Sequence, residues 1–360
     1  MRQRPVLIMA GGTGGHVFPA LAVARELRAR DVPVVWLGTR RGLEAEVVPA
    51  NGLAIEWLSI GGLRRKGWVT ALLFPVRLAG AMHQAWRVLA RLRPRVALGM
   101  GGFVSGPGGL AAWLRRVPLV IHEQNAIPGL TNRVLSRVAT RTLQAVPGAF
   151  GANVRAELTG NPVRAEIAAI ADPRRRLSGR GEALRVLVFG GSGGAAVLNE
   201  VLPRACAGLA EPRTVQITHQ AGRLADLDAL RASYQAAGTS ARVERFIMDM
   251  ADAYAWADLV ICRAGAITVA ELTAAGVASL LVPYPFAVDD HQTHNARFLT
   301  EAGAAELIPQ TQLTAALLAA RLRDYHADRA RLLRMACLAR GLAQPDAARS
   351  VADHCLAVAA

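Results

Sequence analysis

Three segments place glycines directly after short apolar runs, the arrangement that lets backbone N–H groups approach an anion closely. GGTGGH at residues 11 to 16 follows Val6 to Met9, GMGGFVSGPGG at 99 to 109 follows Val96 to Leu98, and GGSGGA at 190 to 195 follows Val186 to Phe189. A helix opening after such a loop adds about half a positive charge at its first turn, so each is a candidate phosphate cradle. P-loop chemistry is excluded, because a Walker A motif needs Gly-Lys-Ser/Thr and Lys66 is the only lysine. A weak dinucleotide fingerprint runs through Gly191, Gly193 and Ala196, but its acidic partner, Glu211, precedes a strand where a ribose-binding acid should end one.

Polar residues gather at the same strand ends. His16 opens the helix after the first loop, where the positive helix end favours a neutral ring able to accept a proton or hydrogen bond. His122, Glu123, Gln124 and Asn125 end the apolar strand from Leu119 and are expected to open into the same crevice. The run RAGAITVAE at 263 to 271 reads as strand end, turn and helix start, with Glu271 one turn in, suited to grip vicinal hydroxyls such as those of a ribose. Asp289, Asp290, His291, Gln292, His294 and Asn295 crowd the loop after Val282, but without helical His-x-x-x-His or His-x-x-Glu-His spacing no metal site is expected. Asp226 and Asp228 form a lone D-x-D in a charged helical stretch and read as a solvated face.

These residues need a scaffold. The chain has 360 residues, 52% of them hydrophobic, enough for two domains at a soft prior of about 150 residues each. Strand candidates, each followed by a helical segment, continue at Val34 to Leu37, Val96 to Leu98 and Leu119 to His122, then at Thr214 to Thr218, Arg242 to Phe246, Leu259 to Cys262 and Ser279 to Val282. The predicted class is α/β, two doubly wound Rossmann-like domains facing across a cleft. The boundary is expected at Asn161 and Pro162, giving domains 1–161 and 162–342, with a last helix within 343–360 crossing back to the first. The basic stretch Pro173 to Arg180 is predicted to be a surface loop.

The four cysteines are scattered, which indicates neither a disulfide framework nor a zinc knuckle and suits a reducing compartment. No export signal is expected: the first apolar run meets Gly11 too soon. The most apolar later stretches, 68 to 82 and 277 to 288, carry prolines and fall short of the roughly 20 residues that span a bilayer. The net charge of +15 is concentrated: residues 1 to 160 hold 21 Lys and Arg against 7 Asp and Glu, the remainder 21 against 20. The first half therefore faces something anionic. Arg64, Arg65 and Lys66 beside Trp68, Leu72, Leu73, Phe74 and Val76, with Trp86 beyond, suit an anionic membrane surface at about 1 kcal/mol per well-placed base. The competing reading makes Leu72, Val76, Met82 and Trp86 the buried stripe of a helix. Nucleic acid is not expected as a partner, since interleaved aromatics are scarce and no groove-reading motif occurs.

Longer ordered segments carry a resemblance. GGTGGHVFPALAVA at 11 to 24, GGFVSGPGGLAAW at 101 to 113, HEQNAIPGLTNR at 122 to 133, GNPVR at 160 to 164, GGSGGA, AYAWADLVICRAGAITVAEL at 253 to 272 and DDHQTHNA at 289 to 296 resemble the MurG family over essentially the full length. These are bacterial GT-B glycosyltransferases that move N-acetylglucosamine from UDP onto undecaprenyl-pyrophosphoryl-N-acetylmuramoyl-pentapeptide. The resemblance implies that the second domain holds UDP-N-acetylglucosamine, with Ser192 at the diphosphate, Ile247 at the uracil edge through its backbone, and Arg164 reaching the nucleotide from the linker. It implies that Ala266, Ile267, Thr268, Val269, Ala270 and Glu271 wrap the phosphate and ribose, with Gln292 on the sugar hydroxyls and Asn125 reaching across from the first domain. Thr13, Gly14, Gly15 and His16 would line the cleft beside the sugar and the undecaprenyl-linked acceptor, His16 being the base or the residue that orients it. It also implies inverting transfer without a cofactor and a peripheral place on the cytoplasmic face of the inner membrane. Two positions depart from the family: Gly193 stands where a glutamine usually follows the serine, and Ala264 where a serine is common. Rival readings are a UDP-sugar epimerase of the same plan, an NAD-dependent oxidoreductase and a basic nucleic-acid-binding protein.

Overall fold

Runs such as Val6–Met9, Val96–Gly99 and Leu259–Cys262 are apolar at nearly every position, the signature of parallel strands covered on both faces. The computed structural model, which describes residues 3–60, 74–191 and 193–359, builds two parallel sheets from them. The chain divides into two units, one formed by residues up to Arg164 together with Gln344–Ala360, the other by Ala165–Ala343.

In the first unit the described strands are β1 (Val6–Met9), β2 (Val34–Gly38), β3 (Ala54–Trp57), β4 (Val96–Gly99), β5 (Leu119–Glu123), β6 (Arg141–Gln144) and β7 (Ala156–Leu158), in the order β3-β2-β1-β4-β5-β6-β7. The chain runs outward one way from β1 and returns to β4 on its other side, so the order reverses between β1 and β4. That switch point is where an open α/β sheet leaves a crevice at the strands' carboxyl ends. The glycine loops at 11–15 and 99–109 follow the two strands that flank it. Trp36 is fully buried and donates its indole N–H to the Ala10 carbonyl at 2.8 Å. The helix Ala347–Ala357 sends Val351, Ala352 and Cys355 into the core that Ala20, Ala24 and Leu27 of helix Gly14–Arg28 also fill, and Arg30 pairs with Asp353.

The second unit repeats the plan with β8 (Leu184–Phe189), β9 (Val215–Gln220), β10 (Ser240–Glu244), β11 (Leu259–Cys262), β12 (Ala278–Leu281) and β13 (Ala305–Leu307), in the order β10-β9-β8-β11-β12-β13. Its order reverses between β8 and β11, the strands that precede Gly190–Gly194 and Arg263–Gly265. Strands β3, β6, β7 and β13 have no counterpart in the sequence reading. Each is three or four residues long and interrupted by a polar side chain, so none presents an apolar run.

The stretch Pro173 to Arg180 corrects an expectation. It opens as the helix Pro173–Leu177, capped by Asp172, which accepts the Arg174 N–H at 2.9 Å. Two of its arginines turn inward. Arg176 donates to the carbonyls of Ala257 at 2.7 Å and Gly276 at 2.6 Å, and Arg180 to those of Ala255 and Trp256 and to Asp258. They satisfy carbonyls left over at the ends of helices Met250–Trp256 and Ala266–Ala275, which would otherwise lack partners. Burial, followed by the repulsion of Arg180, lowers the Arg176 pKa to about 10, which still leaves it charged at neutral pH. A run of basic residues is ordinarily solvated; here unpaired helix carbonyls recruit it.

Arg64, Arg65, Lys66, Trp68, Leu72 and Leu73 lie outside the described residues. Beyond them, helix Phe74–Leu92 buries Ala81, Ala85, Val88 and Leu89 while Val76 stays 70% and Trp86 40% exposed, so neither of these two belongs to a fully buried stripe. Arg115 stacks 4.7 Å from the Trp86 ring centroid. Among the described residues no helix is long and apolar enough to cross a membrane.

Candidate functional site

In the first unit the site begins with a backbone that only glycine tolerates. A Cβ on Gly102, which has a φ of +80°, would stand 2.2 Å from the Gly11 carbonyl oxygen, and one on Gly101 would stand 2.6 Å from Nδ1 of His16. The two glycine loops thus touch, and the missing side chain at 101 is the room for the His16 ring. Glu44, which nothing in the sequence singles out, braces the first loop. It is fully buried and accepts the N–H of Gly12 at 2.9 Å, the N–H of Thr39 at 2.9 Å and the Thr39 hydroxyl at 2.7 Å. Thr13 stands at the N-cap position of helix Gly14–Arg28 with an extended backbone and an exposed side chain that makes no capping hydrogen bond, and it leads to the half-buried Gly14, Gly15 and His16 in the first turn.

The cluster at the end of β5 differs from its expected form. His122, Glu123 and Gln124 are buried, and only Asn125 is half-exposed, so most of this group supports the site from behind. Nε2 of His122 lies 2.9 Å from the Gly160 carbonyl, and Nδ1 lies 3.0 Å from the Gln124 amide nitrogen. The Gln124 amide oxygen is 3.1 Å from Nδ1 of His16. Glu123 accepts the N–H groups of Asn125 (2.9 Å) and Gly129 (3.1 Å) and the side-chain amides of Asn125 (3.1 Å) and Asn132 (2.9 Å), which shapes the turn that presents Asn125. Arg164, at the end of this unit's first segment, lies 5.9 Å from the Phe18 ring centroid.

Burial pushes the His122 pKa down to about 4, and that of His219, in the second unit, also to about 4. Both folded values lie below the ordinary 6.5, so between pH 6.5 and 4 the unfolded chain binds more protons than the folded one. The stabilisation from each neutral ring is complete above that window and drains away as pH falls through it, at about 1.4 kcal/mol per pH unit. Urea unfolding at pH 7 and pH 5 is therefore expected to show a marked loss on acidification. His219→Asn, which cannot titrate, should lose less by about one proton's worth of slope.

In the second unit the loop after β8 is equally crowded. Gly194, at a φ of +76°, would place a Cβ 2.2 Å from the Ala221 carbonyl oxygen, and a Cβ on Gly222 would meet the Cα of Gly194 at 2.5 Å. Gln220, at the end of β9, donates to the Gly191 carbonyl at 2.9 Å and accepts the Ile247 N–H at 3.1 Å. It ties the glycine loop to the backbone of Ile247, a link the sequence reading did not see. Ser192 lies outside the described residues.

The helix Ala266–Ala275 has Gly265 at its N-cap and no acid of its own in the first turn, so Ala266, Ile267 and Thr268 form its positive end. Val269 is buried behind them and Ala270 half-buried. Glu271 is the sixth helical residue, just beyond the first turn as its position suggested, and it is buried and hydrogen-bonded by the Tyr254 hydroxyl at 3.1 Å. Arg263 is tied to the segment after β12, donating to the carbonyls of Val282 and Pro283, each at 3.0 Å, and to Gln310 at 2.6 Å. Gln292 opens helix His291–Thr300 with its amide oxygen accepting the Tyr284 N–H at 2.9 Å. Among the described residues no group of three or more His, Cys, Asp or Glu is placed to hold a metal ion. Asp228 is exposed and Asp226 caps helix Leu227–Ala236, which accounts for the D-x-D pair.

Residues 6–144 match the glycosyltransferase family 28 N-terminal domain, and residues 185–351 match the family's C-terminal domain. A UDP-N-acetylglucosamine--N-acetylmuramyl-(pentapeptide) pyrophosphoryl-undecaprenol N-acetylglucosamine transferase of Marinobacter nauticus is 53% identical over 357 residues, covering 99% of this chain and 98% of the relative. A transferase of the same name from Nitrosococcus oceani is 54% identical, with 98% of each chain covered. The crystal structure of Acinetobacter baumannii MurG superposes with a TM-score of 0.85 at 40% identity, covering 98% of this chain and 99% of that one. A UDP-GlcNAc 2-epimerase from Neisseria meningitidis reaches a TM-score of 0.68 at 12% identity, covering 98% of this chain and all of that one, a likeness of fold alone.

Proposed function

The chain belongs to glycosyltransferase family 28, and we propose that it transfers N-acetylglucosamine, with inversion, from UDP-N-acetylglucosamine to undecaprenyl-pyrophosphoryl-N-acetylmuramoyl-pentapeptide, in peptidoglycan synthesis. It is a glycosyltransferase of the GT-B class, and the products are UDP and a β-1,4-linked disaccharide lipid. The observation that carries the donor assignment is the placing of a glycine loop after β8 and a positive helix N-terminus after β11, the two strands at the switch point of the second sheet. Negative charge grows on the leaving diphosphate as the anomeric C–O bond breaks, so N–H groups aimed there stabilise the transition state more than the ground state.

In this scheme Ser192 and Gly190–Gly194 meet the diphosphate, with the first turn Ala266 to Thr268 against the same charge. The N–H of Ile247 is already held by Gln220, which leaves its carbonyl to accept the uracil N3–H. Glu271, oriented by Tyr254, takes the ribose hydroxyls, Val269 and Ala270 complete the wall, and the amide NH₂ of Gln292 reads the sugar. In the first unit Thr13, Gly14, Gly15 and Asn125 attend the transferred sugar and acceptor, Arg164 the nucleotide, and His16 accepts the proton of the attacking hydroxyl. Purified protein given UDP-N-acetylglucosamine and the lipid-linked acceptor should release UDP and form the disaccharide lipid. N-acetylmannosamine formed without acceptor would instead favour the epimerase, a reading that the shared fold alone supports.

The basic first unit, with Val76 and Trp86 exposed on helix Phe74–Leu92, acts at an anionic membrane surface on the cytoplasmic face. The expected result in vesicle flotation is association with anionic vesicles that weakens with salt. Equal association with neutral and anionic vesicles would remove the electrostatic part.

A further inference from the structure

We propose that His122 and Gln124 form a hydrogen-bond relay, starting at the Gly160 carbonyl, that holds the proton of His16 on Nδ1 and keeps Nε2 as an available lone pair. Its catalytic meaning rests on the reading of His16 as the base; the tautomer itself does not.

The order of donors and acceptors follows from groups that can play only one role. The Gly160 carbonyl only accepts, so Nε2 of His122, 2.9 Å away, carries a hydrogen. Burial keeps that ring neutral, with its pKa near 4, so Nδ1 is bare. The Gln124 amide nitrogen lies 3.0 Å from this Nδ1 and 3.2 Å from the His122 carbonyl, two acceptors, which turns the NH₂ end toward them. The amide oxygen is then the end facing His16, 3.1 Å from its Nδ1. An amide oxygen only accepts, so His16 Nδ1 must donate, and in the neutral ring Nε2 is left unprotonated.

The first link is held rigidly. Gly160 has a φ of +76° and no room for a side chain, since a Cβ would stand 2.3 Å from the Cβ of Gln344. Asn161 donates to the Gln124 carbonyl at 2.9 Å, and Asn132 donates to the His122 carbonyl at 3.1 Å. In the reaction the acceptor hydroxyl oxygen bonds to the anomeric carbon, the bond from that carbon to the UDP oxygen breaks with its electron pair leaving on UDP, and the hydroxyl proton passes to Nε2 of His16. No proton moves along the relay. Gln124 and His122 are positioning residues, and the amide oxygen of Gln124 also faces the imidazolium formed.

The test begins with the intact protein labelled with ¹⁵N-histidine, the His16 resonances being assigned by their loss in His16→Asn. Long-range ¹H–¹⁵N correlations at neutral pH should show Nδ1–H and a bare Nε2; a dominant Nε2–H form would overturn the proposal whatever the activity. Gln124→Leu should lower kcat by about tenfold or more, with the donor KM and the melting temperature little changed, and should mix the two tautomers. Gln124→Glu keeps an oxygen toward His16 in either protonation state and should restore both the Nδ1–H signature and most of kcat. Where His16→Ala is impaired, wild-type kcat in Gln124→Leu, or a Gln124→Glu enzyme as impaired as the leucine variant, would also overturn it. If His16→Ala keeps full turnover while the Nδ1–H signature is present, the base assignment fails and the relay stands.

Discussion

His16→Ala is expected to lower kcat by about 10²- to 10⁴-fold, the range associated with a positioned general base. The attacking hydroxyl is a poor nucleophile with its proton in place, and an oxocarbenium-like transition state gains from removing that proton as the new bond forms. His16 is half-buried at the first turn of helix Gly14–Arg28 and fits into the space left by Gly101, so its ring has little freedom. Ile247, Glu271, Gln292 and the 190–194 loop, which carry most of the proposed donor binding, lie in the second unit, and the first-unit donor groups Arg164 and Asn125 are unchanged in this variant. UDP-N-acetylglucosamine affinity, measured by calorimetry, should therefore stay within about twofold while steady-state kcat collapses. Near wild-type turnover in His16→Ala would remove the histidine from the chemistry.

The second large effect concerns stability. Asp258→Ala should cost about 3–5 kcal/mol of unfolding free energy, the loss seen when one member of a buried ion pair is deleted. Asp258 sits just before β11, buried, with one oxygen 2.9 Å from Nη1 of Arg180 and the other 2.7 Å from Nη2 of Arg329; it also accepts the Arg185 N–H at 3.0 Å. Alanine would leave two guanidinium groups without their anion, and Arg180 is itself largely buried. The damage should spread to the carbonyls of Ala255 and Trp256, which Arg180 holds in the same grip. Urea unfolding followed by circular dichroism checks this; a loss below about 1 kcal/mol would class the pair with exposed ones.

How much of this was legible beforehand differs by residue. The glycine loops and strands β1, β4, β8 and β11 were visible because continuous apolar runs and glycines at strand ends are local features. Glu271 was visible as a candidate, but its burial and its tie to Tyr254 were not. Glu44 and Gln220 escaped notice and the arginines of 173 to 180 were assigned to a surface loop, since each looks from sequence like a solvated polar side chain. The polar run at 122 to 125 was noticed but assigned to an open crevice, whereas three of its four side chains lie behind the surface.

By itself the sequence determined the α/β class, the two repeats of strand, glycine turn and helix, and the family, because apolar period and backbone freedom are written residue by residue. Only the tertiary structure decided which polar groups are buried and what each one holds. Those pairings join residues distant along the chain, Gly12 with Glu44, His16 with Gln124, Arg180 with Asp258, and a buried donor or acceptor takes whichever partner the packed sheet brings within reach.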